Sequence, residues 1–472
     1  MKILCNLPLE CFEDRKHYPS NIELQTYGPP HRTWVDKMHY PADVEFDPAH
    51  GTIHELLGAL PRGFRPDIVL HYWSDQDPIP KQLDECPVPV VGVMSDYNLT
   101  LPFITGLWPF FDVFLVDRPG VGLFQKLGFP DVRYFCQFTF KAQSHKLYPD
   151  IKRDLDVGFA GNLSTVVQRE RAPWMDRVRR LNELGISAEV RSDIFGEDYG
   201  RFLNRARIGF NRSLRGEMNL RAFEVPACGG LLFMEEQNQE IRDFLTPGEE
   251  VVLYNNDNFE ELVLEHLGDE PRRRRMAEAG HRRVQDYRMG KRLSALTELL
   301  AQPGPGRPVS TAAQRALGRG TALLATWACE DATLAPLMEA HKLAPEDPRP
   351  LNALATSLLS KTETPQATQA VRLLQKARAL SSRYVPAAIN LALLFEQDNQ
   401  LELAERYRQE AITALESDPD WPDLDGVLLP LGFSQVCIDH ATNLAAAVRA
   451  GDTAQLAAFL RPAETTPIHG SS

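Results

Sequence analysis

Short apolar runs recur along the first half of the chain, each followed by a longer stretch of mixed polarity. Residues 2–7, 67–72, 88–94, 112–116 and 132–135 read as strands, with helices expected over 52–60 and 121–127. Runs that are apolar throughout, rather than alternating, belong to strands covered on both faces, as in a parallel sheet with crossover helices. Residues before about 50 are rich in His, Pro and Tyr and offer few signals. After a polar stretch at 141–154, read as a hinge, the pattern restarts. Strands are expected over 155–159, 188–191, 208–211, 231–234 and 251–254, and helices over 259–286 and 291–301. The expectation is two Rossmann-like α/β units, residues 1–145 and 150–302. No G-x-G-x-x-G is present, which disfavours a dinucleotide dehydrogenase.

A Pro/Gly-rich segment at 302–310 has the composition of a linker. Beyond it the chain turns helical and rich in Ala and Leu. The segment from Ala370 to Ala377 matches that from Ala404 to Ala411 at an offset of 34 residues. That is the period of tetratricopeptide repeats. Residues 310–460 therefore resemble a short tetratricopeptide array, with expected capping helices over 311–327 and 435–460. Residues 461–472 read as a loose tail.

A chain of 472 residues exceeds a single core, and two or three domains are expected. Its net charge of −13 argues against a general nucleic-acid or anionic-membrane binder. The seven cysteines are dispersed without a C-x-x-C pair, the pattern of reduced thiols in a cytoplasmic protein. Neither a signal peptide nor a membrane span is expected.

The most informative stretch is 215–233, R-G-E-M-N-L-R-A-F-E-V-P-A-C-G-G-L-L-F. A polar loop enters a helix that Pro226 makes short or bent, and Gly229 and Gly230 end it before a buried strand. Unpaired N–H groups at such a helix start can hold a phosphate. Arg221 adds positive charge, and Glu224 offers a carboxylate to sugar hydroxyls. Together with G-E-E-V-V-L-Y at 248–254, N-F-E-E-L at 258–262 and R-R-M-A-E-A-G-H-R-R-V at 274–284, this stretch resembles the C-terminal half of GT-B glycosyltransferases. More narrowly, it is similar to the spore-maturation-protein (CgeB-like) group. The resemblance covers residues 150–300 well and the first 140 loosely. It implies that Glu224 holds the nucleotide ribose. Glu217 lies one residue short of the usual spacing for the family's first glutamate, so that role is not carried onto it.

For a diphosphate leaving group the candidates are Gly161, Asn162, Arg212, Asn219, Leu220 and Arg221. For the base, Asp96 after the 88–94 strand and His71 in the 67–72 strand are the candidates. Each has a plainer reading. Gly161 and Asn162 form a turn, Arg221 is a solvated helix residue, Glu224 favours the helix dipole, Asp96 caps a helix and His71 is packed. The D-x-D triplets at 75–77, 154–156, 418–420 and 423–425 are cheap in an acidic chain, and no metal or cofactor is expected beyond a nucleotide-sugar donor. The resulting expectation is a metal-independent GT-B glycosyltransferase whose helical repeats recruit a protein acceptor, flagellin or another surface protein. Alternatives are a transferase building cell-surface polysaccharide, with the repeats as a docking module, and a scaffold without activity.

Overall fold

The computed structural model describes the chain apart from residues 31–39, 164–170, 214–215, 303, 327, 361–365 and 417–472. The expected capping helix at 435–460, the tail at 461–472 and the D-x-D triplets at 418–420 and 423–425 lie outside the described residues.

The first lobe is a parallel sheet of β1 (Lys2–Cys5), β2 (Glu23–Gly28), β3 (Val44–Glu45), β4 (Ile68–Tyr72), β5 (Val90–Val93), β6 (Val113–Val116) and β7 (Val132–Tyr134). Their spatial order is β3-β2-β1-β4-β5-β6-β7. Helices α1 (Ile53–Gly58), α2 (Tyr97–Ile104) and α3 (Arg118–Lys126) lie among them. A capping box of Thr52 and Glu55 starts α1. Strands β2 and β3 fall in the segment that offered no reading. In β2 the buried Thr26 is satisfied by Asp43, which accepts its N–H at 2.8 Å and its hydroxyl at 2.9 Å. A polar strand of this kind carries no apolar run.

The second lobe holds β8 (Leu155–Ala160), β9 (Ala188–Arg191), β10 (Ala206–Phe210), β11 (Leu231–Glu235) and β12 (Val251–Tyr254), all parallel, in the order β12-β11-β10-β8-β9. Its helices are α4 (Ala172–Arg180), α5 (Gly196–Arg205), α6 (Arg221–Ala227), α7 (Ile241–Phe244), α8 (Phe259–Gly268) and α9 (Glu270–Val284). Helix α6 is short, as Pro226 requires, and Gly229 at φ +72° turns the chain into β11.

Helix α10 (Met289–Leu300), expected to end the second lobe, instead packs on the first. Met289, Leu293 and Leu296 are buried in a core with Ile3, Leu70 and Leu115, and Glu13 accepts the Gly290 N–H at 3.0 Å. The linker is pinned too. Arg307 pairs with Asp112 at 2.8 Å and donates to the Leu83 carbonyl at 3.1 Å.

Among the described residues six helices follow: α11 (Ala312–Leu324), α12 (Glu330–Leu343), α13 (Arg349–Ser360), α14 (Ala367–Leu380), α15 (Val385–Gln397) and α16 (Leu401–Glu416). The repeated alanines Ala370 and Ala377 of α14 and Ala404 and Ala411 of α16 are all buried. Asn390 of α15 donates to Asn352 of α13 at 2.7 Å. The helical region is fastened to the first lobe through α11. Ala322 lies in the core of the first sheet, and Arg319 donates to the Ala49 carbonyl at 2.8 Å. Among the described residues no helix is long and apolar enough to cross a membrane.

Candidate functional site

Each sheet has one place where the strand order reverses, and there adjacent strand ends diverge and leave a crevice. In the first lobe this lies between β1 and β4. The Asn6 side chain spans it, accepting the Tyr72 N–H at 2.7 Å and donating to the Tyr72 carbonyl and to Asp77 at 2.9 Å each. In the second lobe the reversal lies between β8 and β10, and Arg221 spans it. Its Nε and Nη2 donate to the Ala160 carbonyl at 3.0 and 2.6 Å, and its Nη1 to Asn211 Oδ1 at 3.0 Å. The guanidinium also lies over the Phe159 ring, 4.2 Å from its centre. Arg221 is therefore no solvated helix residue but the buried tie between two strand ends.

Asn219 extends the tie. It exchanges amide hydrogen bonds with Asn211 and accepts the Ala222 N–H at 3.2 Å. Gly161 leaves room for the guanidinium, and Asn162 is exposed. Leu220 packs instead against the core of the first lobe, so its side chain is an interlobe contact. Glu224 is buried. Its Oε2 receives the Tyr199 hydroxyl at 2.8 Å, and its Oε1 lies 3.5 Å from His145 Nδ1. Burial pushes His145 below the usual histidine range, with Glu224 opposing the shift.

Arg171 went unassigned in the sequence and is central in the structure. It is 7% exposed, and it joins the loops after β8 and β10 by donating to the carbonyls of Asn162 at 3.1 Å and Arg212 at 3.2 Å. Burial, then the charge of Arg221, brings it down to about 9, while Glu217, Glu235 and Asp96 oppose the shift. Asp96 belongs to the first lobe, so this coupling runs across the crevice. Arg212 stands beside Gln237 at 3.4 Å and over the Trp174 ring at 5.4 Å. Glu235, at the end of β11, is raised by burial and accepts the Ser213 N–H at 3.1 Å. A signal for these residues existed. Asn211 and Glu235, unassigned in the sequence, stand at the carboxyl ends of β10 and β11, where ligands of open α/β sheets bind.

The two base candidates separate. Asp96 is exposed and immediately precedes α2, with Gln76 Nε2 at 3.3 Å from its Oδ2. His71 is 0% exposed, with Nδ1 at 3.2 Å from the Ser74 hydroxyl and Nε2 at 3.1 Å from the Pro78 carbonyl. A ring closed off from solvent and engaged at both nitrogens has no face for an acceptor, which corrects its candidacy as a base. The turn beneath it is strained, because Trp73 takes φ +54°. Asp75 and Asp77 bond to different partners, Ser95 and Asn6.

The lobes also meet at Glu240. Glu240 accepts the N–H groups of Met218 at 2.5 Å and Arg118 at 3.2 Å, and Arg118 pairs with Asp243.

A search of curated protein sequences gives no match. Among solved structures the chain is similar to Anabaena HepE in complex with UDP, at 13% identity and a TM-score of 0.44, over 64% of this chain and 100% of that one. It is similar to sucrose-phosphate synthase from Thermosynechococcus elongatus at 11% identity and a TM-score of 0.41, over 64% and 98%. For the pneumococcal O-GlcNAc transferase GtfA in complex with UDP and GlcNAc the values are 10%, 0.36, 49% and 56%. Residues 144–298, which contain every second-lobe residue of the crevice named above, match the family model described as glycosyl transferase-like.

Proposed function

We propose that the protein is a GT-B glycosyltransferase that moves a sugar from a nucleotide-sugar donor to an acceptor hydroxyl. The observation that carries this reading is Arg171, a buried cation at the reversal point of the second sheet that feels Asp96 of the opposite lobe. Such a cation, next to Arg221 and Arg212, suits a diphosphate whose negative charge grows as the bond to the anomeric carbon breaks. Helix α6 is only seven residues long. The phosphate-holding role expected of its amino end therefore passes to the guanidinium groups, with Asn219 and Gly161 shaping the floor and Asn162 at the rim. Arginine in place of a metal is what makes the reaction metal-independent in this reading.

Asp96 takes the proton of the acceptor hydroxyl as its oxygen bonds to the anomeric carbon and the nucleoside diphosphate leaves. Glu224 meets the ribose, sharing its carboxylate with Tyr199. The acceptor is a protein, such as flagellin or another surface protein. In support, the tetratricopeptide-like helices dock on the first lobe against α2, the helix that begins next to Asp96. A cytoplasmic location fits the free thiols, five of which are buried among the described residues.

The test is donor hydrolysis over a panel of UDP-, GDP-, CMP- and dTDP-sugars with and without EDTA, followed by mass spectrometry of lysate proteins. Hydrolysis of one donor that survives EDTA, with a sugar mass added to a protein, is expected. Sugar appearing only on glycans favours the polysaccharide alternative, and inertness toward every donor leaves a scaffold.

A further inference from the structure

The strained turn after β4 holds a carboxyl that the reaction above does not use. Asp75 is 0% exposed, and among the described residues no Arg or Lys pairs with it. Its Oδ1 accepts the Ser95 N–H at 2.9 Å, and the Ser95 hydroxyl lies 3.5 Å from each of its oxygens. The Gln76 amide nitrogen is 3.3 Å from Asp75 Oδ2, 3.3 Å from Asp96 Oδ2 and 3.4 Å from the Ser95 hydroxyl. A primary amide carries two protons, enough to serve one oxygen of each carboxyl group. One side chain thus bridges a buried acid and the exposed acid assigned as base. The turn is itself held, since the Gln76 and Asp77 N–H groups both donate to the Trp73 carbonyl at 2.8 Å.

We propose that Asp75 is a positioning residue for Asp96, orienting it through Gln76 and setting its basicity by carrying or releasing a proton. The proposal rests on the transferase reading of the crevice. Burial first, then the neighbouring Asp96 charge, pushes Asp75 up to about 7. Other ionisable groups around it are accounted for. His71 and Asp77 of its own segment bond to Ser74, Pro78 and Asn6, and Arg171 of the second lobe acts on Asp96. Below neutrality the Asp75 carboxyl is neutral; above it a negative charge stands behind the carboxylate assigned as base and favours proton transfer to it. The acceptor proton still goes to Asp96, and Asp75 makes no bond to substrate.

The experiment has two arms on the full chain. In the first, kcat and donor KM are followed from pH 5.5 to 9 for wild type, Asp75→Asn and Gln76→Leu. Expected for wild type is a rise in kcat through a step near pH 7. In Asp75→Asn the step disappears and kcat at pH 8 falls about tenfold with little change in KM, while Gln76→Leu lowers kcat in the same way. A wild-type step retained in Asp75→Asn, or a parallel loss through KM, overturns the proposal. The second arm needs no turnover. Infrared difference spectra of protein labelled with 13C-aspartate should show a protonated carboxyl band that titrates near neutrality and is absent from Asp75→Asn. Absence of that band in wild type also overturns it. If Asp75→Asn does not fold, Gln76→Leu decides the first arm and the wild-type titration the second. Failure to turn over any donor with the band present sinks the transferase reading instead.

Discussion

Gly161 stands so close over Arg221 that a Cβ at this position would lie 2.2 Å from the guanidinium Nη2. Gly161→Ala should therefore drive the guanidinium off the Ala160 carbonyl and open the tie between β8 and β10. The expected outcome is at least a tenfold loss of affinity, by calorimetry, for the nucleoside diphosphate of whichever donor the hydrolysis panel identifies, together with a lower Tm. Unchanged affinity would remove this stretch from the donor site.

Arg221→Ala should destabilise the second lobe itself, because it strips the guanidinium donors from the buried Ala160 carbonyl and leaves the Asn211 amide oxygen with Asn219 in place of two donors. A cost of about 2–4 kcal/mol in denaturant unfolding is expected. Arg221→Lys should recover little, since an ammonium cannot reach both strand ends with planar, fixed donors.

Arg171 predicts a pH dependence of binding. At about 9, its proton is lost well below the usual arginine range. Nucleoside diphosphate affinity should fall as pH rises toward and past that value, and Arg171→Gln should be weaker throughout and lack the dependence. Equal slopes in the two proteins, measured by titration calorimetry between pH 7 and 10, would rule out this cation as the phosphate contact.

Asp75 makes the opposite prediction for stability. Its folded value of about 7 lies above the ordinary carboxylic range, so between the two the native state binds more proton than the unfolded chain. Its contribution is most favourable below about pH 4, declines as pH rises, and levels off above pH 7. Asp75→Asn should thus gain on wild type by a few kcal/mol between pH 4 and pH 8. Parallel stability curves for the two proteins across that range would contradict a buried, protonated carboxyl.

The helical region gives a structural test. A Cβ on Gly318 of α11 would meet the Gly106 carbonyl oxygen at 2.0 Å. Gly318→Val should lift α11 from the first lobe, and proteolysis at the 302–310 linker should accelerate several-fold.

Much of the fold was legible because it is written in short-range patterns. Strands β1 and β4 to β12 lie where the sequence predicted them, and Asn219, Arg221 and the Gly229–Gly230 stop announce a short helix locally. Strand β2 was not legible, because the polar Thr26 is buried only by virtue of Asp43, well apart in the chain. The site divides in the same way. Arg221 was named from its motif, but its partners Ala160 and Asn211 lie on strands that only sheet assembly brings together. Arg171 and Asp75 have no motif, and burial next to groups distant in sequence supplies their character. His71 looked available in the sequence and is enclosed in the structure.

By itself, then, the sequence determined the alternation of parallel strands and helices, the linker and the paired alanine-rich helices, since each depends on residues a few positions apart. Tertiary structure alone decided the strand order, the return of α10 to the first lobe and the charges that face the crevice. Parallel neighbours are joined by long crossovers, so which strand ends become adjacent is settled by packing between distant segments, and the electrostatics of the crevice follow from that packing.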